Sequence, residues 1–285
     1  MTMKYLAYRL AQRLSCGLPP RTAYRLAEQL ADLQWRWSQI DRAAVHANLS
    51  VVLRGHDTLL PSLVRETFRN FGRYLIEFFT AHIPQRFEIT VQGGDALDRA
   101  ADARRGVIIW TGHLGNWELG AMTLQRLGWR VAAIALPHDD SRMNRLFDRQ
   151  RQRCGVEVIS LGPHATRHSL MHLEQGGLLG ILGDRDFTGR TVDIRCWGRR
   201  LAVPAGPALL SLRRQTPVVP VFLIREGQQR LRLQIEPPIW PTPLAGRTIA
   251  TAVQELTQQL VSVLERYVTR FPDQWLVFRP LFQSA

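Results

Sequence analysis

The chain has 285 residues, 45% of them hydrophobic, and carries 37 basic against 24 acidic side chains, a formal net charge of +13. Such a length and apolar content support a substantial core and exclude a disordered chain, and no stretch reaches the roughly 18 apolar residues that span a bilayer. The surplus of positive charge predicts an anionic partner, either nucleic acid or an acidic membrane surface.

Lys4 is the only lysine, so nearly all the positive charge is guanidinium, which grips phosphate and carboxylate through a planar fork. Cys16, Cys154 and Cys196 are odd in number, and their spacing matches no metal or redox motif; reduced thiols in a cytosolic compartment are expected.

Residues 1–84 read as helical throughout. In "MTMKYLAYRLAQRLS", Leu6, Leu10 and Leu14 recur every four residues, while Arg9 and Arg13 interrupt any signal-like apolar run. That helix either packs on its own core or lies in a membrane interface with its arginines near lipid phosphates. "PPRTAYRLAEQLADLQWRW" and "LPSLVRETFRNFGRYLIEFF" carry apolar residues at helical intervals.

After Pro84 the pattern changes. Short β-rich runs, "FEITVQG", "GVIIWTG", "WRVAAIAL", "VEVISLG", "LLGILGD", "PVVPVFLI" and "LRLQIEP", alternate with helices expected over 117–127, 140–153, 164–175 and 204–214. "TIATAVQELTQQLVSVLERYVTRF" closes the chain as an amphipathic helix. There are no repeats and no long linker. The expected architecture is α/β: one domain, a mostly parallel or mixed central sheet with helices on both faces, and a helical N-terminal layer over 1–84 against a core over 85–285.

The chemistry gathers in "GVIIWTGHLGNWELG". His113 falls just past a buried strand, where sites of open α/β sheets form. Gly112 and Gly115 permit close approach, Asn116 suits a helix N-cap, and Glu118 then lies in the first turn. On a continuous helix, positions five apart diverge by roughly 140°. His113 and Glu118 can therefore cooperate only if the histidine sits in the loop and the glutamate reaches back to orient the imidazole. The plainer reading is a glutamate that favours the helix dipole and a structural histidine.

"HLGNWE" has the His-x4-Asp/Glu form of the glycerolipid acyltransferase superfamily, and "TGHLGNWELGA" resembles the bacterial branch that adds late acyl chains to lipid A, which also includes the phosphatidylinositol mannoside acyltransferases. "FDRQRQRCGVEVI", "GGLLGILGDRDF" and "VPAGPALLSLRRQTPVVPVFLIRE" resemble further blocks of that branch, in order, between about Arg65 and Ile235. The first segment is more polar than the apolar helix common in relatives.

The resemblance implies transfer of a fatty acyl chain from an acyl carrier protein or coenzyme A thioester to a hydroxyl of a lipid A precursor or similar glycolipid. It places the enzyme on the cytoplasmic face of the bacterial inner membrane, peripheral or monotopic, against an anionic surface. His113 is then the general base and Glu118 its orienting group. Arg151 meets an oxyanion or a phosphate, or is a solvated helix arginine. Asp184, Arg185 and Asp186 hold the acceptor head group or complete a relay with His113, or close an internal ion pair. Asn116 and Gly206 are further substrate-binding candidates, Gly206 at a helix start where N–H groups can meet an anion.

His164, His168 and His172 could form a metal face, but no carboxylate or cysteine joins them; a solvated helix face is expected, with no metal and no bound cofactor. Acylation of a phosphatidylinositol mannoside or a lysophospholipid is the alternative within the enzyme class. A nucleic-acid-binding module is the distant one, because no recognition motif for nucleic acid appears.

Overall fold

The structure, a computed structural model, describes residues 3–54, 57–83 and 85–282. Pro84, where the sequence pattern changes, lies outside them. Four helices open the chain: α1 (Met3–Gly17), α2 (Pro20–Trp37), α3 (Gln39–Leu53) and α4 (Leu60–Thr80). The core follows as β1 (Glu88–Gln92), α5 (Gly94–Ala101), β2 (Val107–Thr111), α6 (Trp117–Arg126), β3 (Val131–Ala135), α7 (Ser141–Arg153), β4 (Glu157–Ser160), α8 (Ala165–Glu174) and β5 (Leu178–Leu182). A two-stranded hairpin, β6 (Thr191–Cys196) and β7 (Arg199–Pro204), leads into α9 (Gly206–Arg214), β8 (Val218–Arg225), β9 (Arg230–Ile235) and α10 (Ile249–Arg270).

The seven-stranded sheet has the order β1-β9-β8-β2-β5-β3-β4. β8, β2, β5, β3 and β4 run parallel, while β9 pairs antiparallel with β8 and carries β1 alongside it. β2 sits centrally and is buried at every position, as an apolar run covered on both faces must be. Ile108, Trp110, Leu179 and Ile181 face α8, α9 and α10. Val107, Ile109, Val131, Val221 and Leu223 face α4, α5, α6 and α7. The mixed sheet, its covering helices and the N-terminal helical layer match the expected architecture.

Two elements were not foreseen in the sequence. α5 is a single short crossover helix that buries Ala96, Leu97 and Ala100. The β6–β7 hairpin turns on Trp197 and Gly198, both at positive φ (49° and 76°), the signature of a tight two-residue turn. Its first strand alternates exposed Thr191, Asp193 and Arg195 with inward Val192, Ile194 and Cys196, a period-2 signal that was present to be read.

The helical layer is fastened to the sheet by charge. α2 and α4 pack antiparallel: Asp32 accepts from Arg65 and Arg69, and Glu28 from Arg73. Deeper in, fully buried Glu77 pairs with Arg225 at the end of β8, accepts from the Tyr24 hydroxyl at 2.9 Å, and accepts from Asn116 Nδ2 at 2.8 Å. Burial disfavours the charge on Arg225, but Glu77 beside it more than compensates and raises its pKa. α1 packs through Tyr5, Tyr8 and Ala11, leaving Leu6 and Leu10 exposed. Among the described residues no helix is long and apolar enough to cross a membrane, and the three cysteines are unpaired.

Removing one member of a buried ion pair strands its partner. Glu77→Ala should therefore cost about 3–5 kcal/mol, read as a lowered midpoint of urea unfolding. A midpoint equal to wild type would show that the Glu77–Arg225–Asn116 cluster does not hold the layer to the sheet.

Candidate active site

β2 delivers its chain to the carboxyl edge of the sheet, where Gly112–Asn116 forms a tight loop before α6. Three neighbours clamp that loop. Gly115 N–H donates to Gln274 at 2.9 Å, Leu276 N–H donates to the His113 carbonyl at 2.6 Å, and Asn116 N–H donates to Leu223 at 3.0 Å. Gly115 has φ +63°, and a Cβ there would lie 1.9 Å from the Leu223 carbonyl oxygen, so glycine is required both for the turn and for the contact.

The loop presents His113 to Asp184, at the end of the adjacent strand β5. Nδ1 of His113 lies 2.7 Å from Asp184 Oδ1, and the His113 backbone N–H donates to Asp184 Oδ2 at 2.8 Å. Trp275, buried beneath the C-terminal segment, donates its indole N–H to the same oxygen at 3.1 Å. Asp184 is fully buried. Burial raises its pKa, but the attraction of His113 and the hydrogen bonds from His113 and Trp275 prevail, and its carboxyl is held below the ordinary aspartate range. With Nδ1 facing an ionised carboxylate, the proton belongs on Nδ1, and Nε2 is left as an acceptor. Nε2 has no hydrogen-bond partner among the described residues, and the edge of Trp117 packs 4.9 Å from the imidazole.

Glu118 does not reach back to His113. It faces Arg151 of α7, which donates from Nε at 2.9 Å and from Nη2 at 2.6 Å, while Nη1 donates to Asp148 at 3.1 Å. The expectation that Glu118 orients the imidazole is corrected on this point: the carboxylate on His113 comes from Asp184. The first turn of α6 points Glu118 toward α7, and a bidentate guanidinium uses both its oxygens. Arg151 is accordingly no solvated helix arginine. Burial works against its charge, but Glu118 outweighs that and raises its pKa.

The remaining candidates separate. Asn116 caps α6 through Leu119 N–H and gives its amide to Glu77 and the Tyr74 carbonyl, so it is a buried structural residue. Asp186 turns away from His113 and accepts from Thr188 and Gly189. It does not ion-pair with Arg185, whose guanidinium lies 5.0 Å over the Phe187 ring. Gly206 starts α9 at the rim of the site. The row of three histidines splits: His164 and His168 have rings 6.3 Å apart, but His172 turns inward, buried, with Nε2 3.1 Å from the Leu178 carbonyl. The expected solvated face therefore fails at His172. The sequence also gave Trp275 and Glu77 no role; neither carries a local motif, because their partners lie 91 and 39 residues away.

His113, Trp117, Glu118, Arg151, Arg185 and Asp186 border one large cavity of about 1120 Å³. From this charged rim it runs into the protein along Ile109, Leu124, Val131, Phe147, Val221 and Leu223, all largely apolar wall. The arrangement is a carboxylate-held histidine at the mouth of an apolar chamber, suited to deprotonating a hydroxyl beside a hydrocarbon chain.

The family model for bacterial lipid A biosynthesis acyltransferase matches residues 3–284. Among curated proteins, the chain is 25% identical over 244 residues to a phosphatidylinositol mannoside acyltransferase of Mycobacterium tuberculosis, covering 82% of this chain and 74% of that protein. It is 24% identical to the protein of the same name in Mycolicibacterium smegmatis, over 76% of this chain and 71% of the relative. It is likewise 24% identical to a lipid A biosynthesis palmitoleoyltransferase of Escherichia coli, over 78% and 72%.

The depressed Asp184 pKa has a signed consequence. Its stabilising contribution is present above the unfolded-state aspartate value of about 3.9 and is lost as pH falls through the lower folded value. Wild type should therefore lose stability more steeply than Asp184→Asn below about pH 4, as followed by urea midpoints across an acid series. Parallel profiles would mean that Asp184 is not ionised in the folded protein.

Proposed function

The chain belongs to the bacterial lipid A biosynthesis acyltransferase family, and on that footing we propose that it moves a fatty acyl group from an acyl carrier protein or coenzyme A thioester to a hydroxyl of a glycolipid, a lipid A precursor or a close analogue, with His113 as general base. The observation that carries this reading is the His113–Asp184 pair at the mouth of the apolar cavity.

An alcohol is a weak nucleophile at neutral pH, and His113 Nε2 takes its proton as the oxygen attacks the thioester carbonyl. Asp184 fixes the tautomer and offsets the imidazolium that forms. Negative charge then develops on the carbonyl oxygen, and Arg151 on the same wall, held in place by Glu118 and Asp148, offers its remaining guanidinium N–H groups to that oxygen as local hydrogen-bond donors. The tetrahedral intermediate expels the thiolate, which recovers a proton from His113. Because the thioester is already activated, these steps draw on no metal or bound cofactor. The acyl chain occupies the apolar chamber beneath α6 and α7, lined by Leu124, Phe147 and Leu223.

A phosphatidylinositol mannoside is the second acceptor class, supported by the names of the two mycobacterial relatives, which are 25% and 24% identical to this chain. A nucleic-acid partner has no such support. We place the protein on an anionic membrane, at the cytoplasmic face of the inner membrane. Supporting this are the net charge, the exposed Leu6 and Leu10 of α1, and the turn between α2 and α3, where Trp37 is 78% and Ile40 84% exposed beside Arg36.

His113→Ala should abolish transfer in a protein that still folds. Asp184→Asn should lower turnover by about 10⁴-fold, and Glu118→Gln by less, because its route to the chemistry runs through Arg151. Turnover with acyl-coenzyme A and extracted glycolipid measures this order. Near-normal turnover in folded His113→Ala removes the mechanism, and a Glu118→Gln defect far exceeding that of Asp184→Asn would return the orienting role to Glu118.

A further inference from the structure

The residues that line the cavity fall into two arms, one on each face of the sheet, with His113 at the strand ends between them. The arm toward α6 and α7 is walled by Leu124, Val131, Val221 and Leu223, all buried. The other arm lies between α8 and α9, over Ile181 and Leu161, with Ala165 and Ser169 on one wall and Leu210 on the other. It opens sideways, since Thr166 and Pro163 are exposed and Leu209 is 41% exposed. One acyl donor needs one chain site, and the buried arm supplies it.

One feature of the open arm calls for a ligand. At the rim, Arg185 is half-buried and forms no ion pair or hydrogen bond among the described residues, apart from its contact with the Phe187 ring. Arg190 and Arg213, also on the cavity wall, have no carboxylate partner among the described residues either. The nearest carboxylates are spent: Asp184 on His113 and Trp275, Asp186 on its own turn. Unpaired guanidinium groups at the head of an apolar groove match an anionic head group on a hydrocarbon chain.

We propose that the groove between α8 and α9 is the acceptor's own chain site: it receives a hydrocarbon chain of a phosphate-bearing lipid, with the phosphate against Arg185 and Arg190. The inference rests on the acyl-transfer reading for the identity of the first arm. It adds that the acceptor is drawn partly into the protein rather than presenting only its head group. The nine residues of α9 give a wall about 13 Å long, and the two chains then approach His113 from opposite faces of the sheet.

The test is binding by the full-length protein, measured by calorimetry with two probes: a non-hydrolysable palmitoyl thioether of coenzyme A for the buried arm, and lysophosphatidylinositol below its micelle concentration for the groove. Lysophosphatidylinositol should bind protein already saturated with the thioether. Leu210→Trp should weaken that binding by about tenfold or more, equivalent to about 1.4 kcal/mol, and leave thioether binding intact, while Leu124→Trp does the reverse. Arg185→Gln with Arg190→Gln should reduce lysophosphatidylinositol to the affinity of monoacylglycerol, which lacks the phosphate. If Leu210→Trp does not fold, Thr166→Trp fills the groove from its exposed side. Competition between the probes, or loss of thioether binding in Leu210→Trp, would overturn the proposal. So would arginine variants that weaken the coenzyme A probe instead, because the phosphate would then be the donor's. A thioether that binds nowhere would count against acyl transfer itself, while the lysophosphatidylinositol result would still report on the groove.

Discussion

The buried carboxylate of Asp184 is the point on which the site is built. A carboxylate without solvent is tolerated only if hydrogen bonds replace its water. Asp184 collects them from two segments far apart in sequence: the His113 backbone and ring from the loop after β2, and the Trp275 indole from the chain after α10. Satisfying that one charge fixes the loop, selects the imidazole tautomer, and ties the end of the chain into the site. The backbone bonds from Gly115 to Gln274 and from Leu276 to His113 then extend the tie into a short bridge. A loop that must hold a base to within a fraction of an ångström is thus braced from both sides, as preorganised chemistry requires.

A second buried carboxylate does for the helical layer what Asp184 does for the loop. Glu77 binds Tyr24 of α2, Asn116 at the start of α6, and Arg225 at the end of β8. The N-terminal helices are therefore part of the floor of the site. Tyr74, one turn earlier on α4, stacks on Trp117 at 4.6 Å, and Trp117 in turn packs against His113. A disturbance in α4 has a short path to the imidazole.

What the sequence made legible was the periodic and the local. Seven apolar runs became the seven strands of the main sheet, and "GVIIW" lies at its centre, buried at every position. The glycines and the Asn116 cap forecast the turn that lifts His113 off the strand. The error lay in the partner of His113. A spacing of five residues invites pairing within the motif, yet side-chain direction at the first turn of α6 carries Glu118 to Arg151, and the carboxylate that meets the imidazole lies 71 residues on. Asp184 was legible as one of three charges after a buried strand that could complete a relay with His113, without a sign of which one would. That strand, β5, proves to be the parallel neighbour of β2, which is why two strand-end residues meet. Trp275 had no signal, because a tryptophan near the end of a chain looks the same whether it fills space or donates to a carboxylate.

The net charge of +13 takes its meaning from where the acids are spent. Acidic side chains that fasten the fold are committed to particular arginines: Asp32 between the helices to Arg65 and Arg69, and, in the interior, Glu77 to Arg225 and Glu118 to Arg151. Arg65 and Arg69 hold the Asp32 carboxyl well below the usual carboxylate range, so that pairing is closed at neutral pH. These pairs are internal fastening, neutral or nearly so and invisible to a distant partner. The excess falls on arginines such as Arg185, Arg190 and Arg213, which line the cavity without a carboxylate partner among the described residues. Exposed pairs contribute little to stability, and unpaired surface arginines contribute less, so stability gives no reason for their placement. A field focused at the mouth of an apolar cleft raises the local concentration of amphipathic anions. The same arrangement that leaves the fold indifferent to these side chains makes the cleft selective for a lipid that carries negative charge at its head.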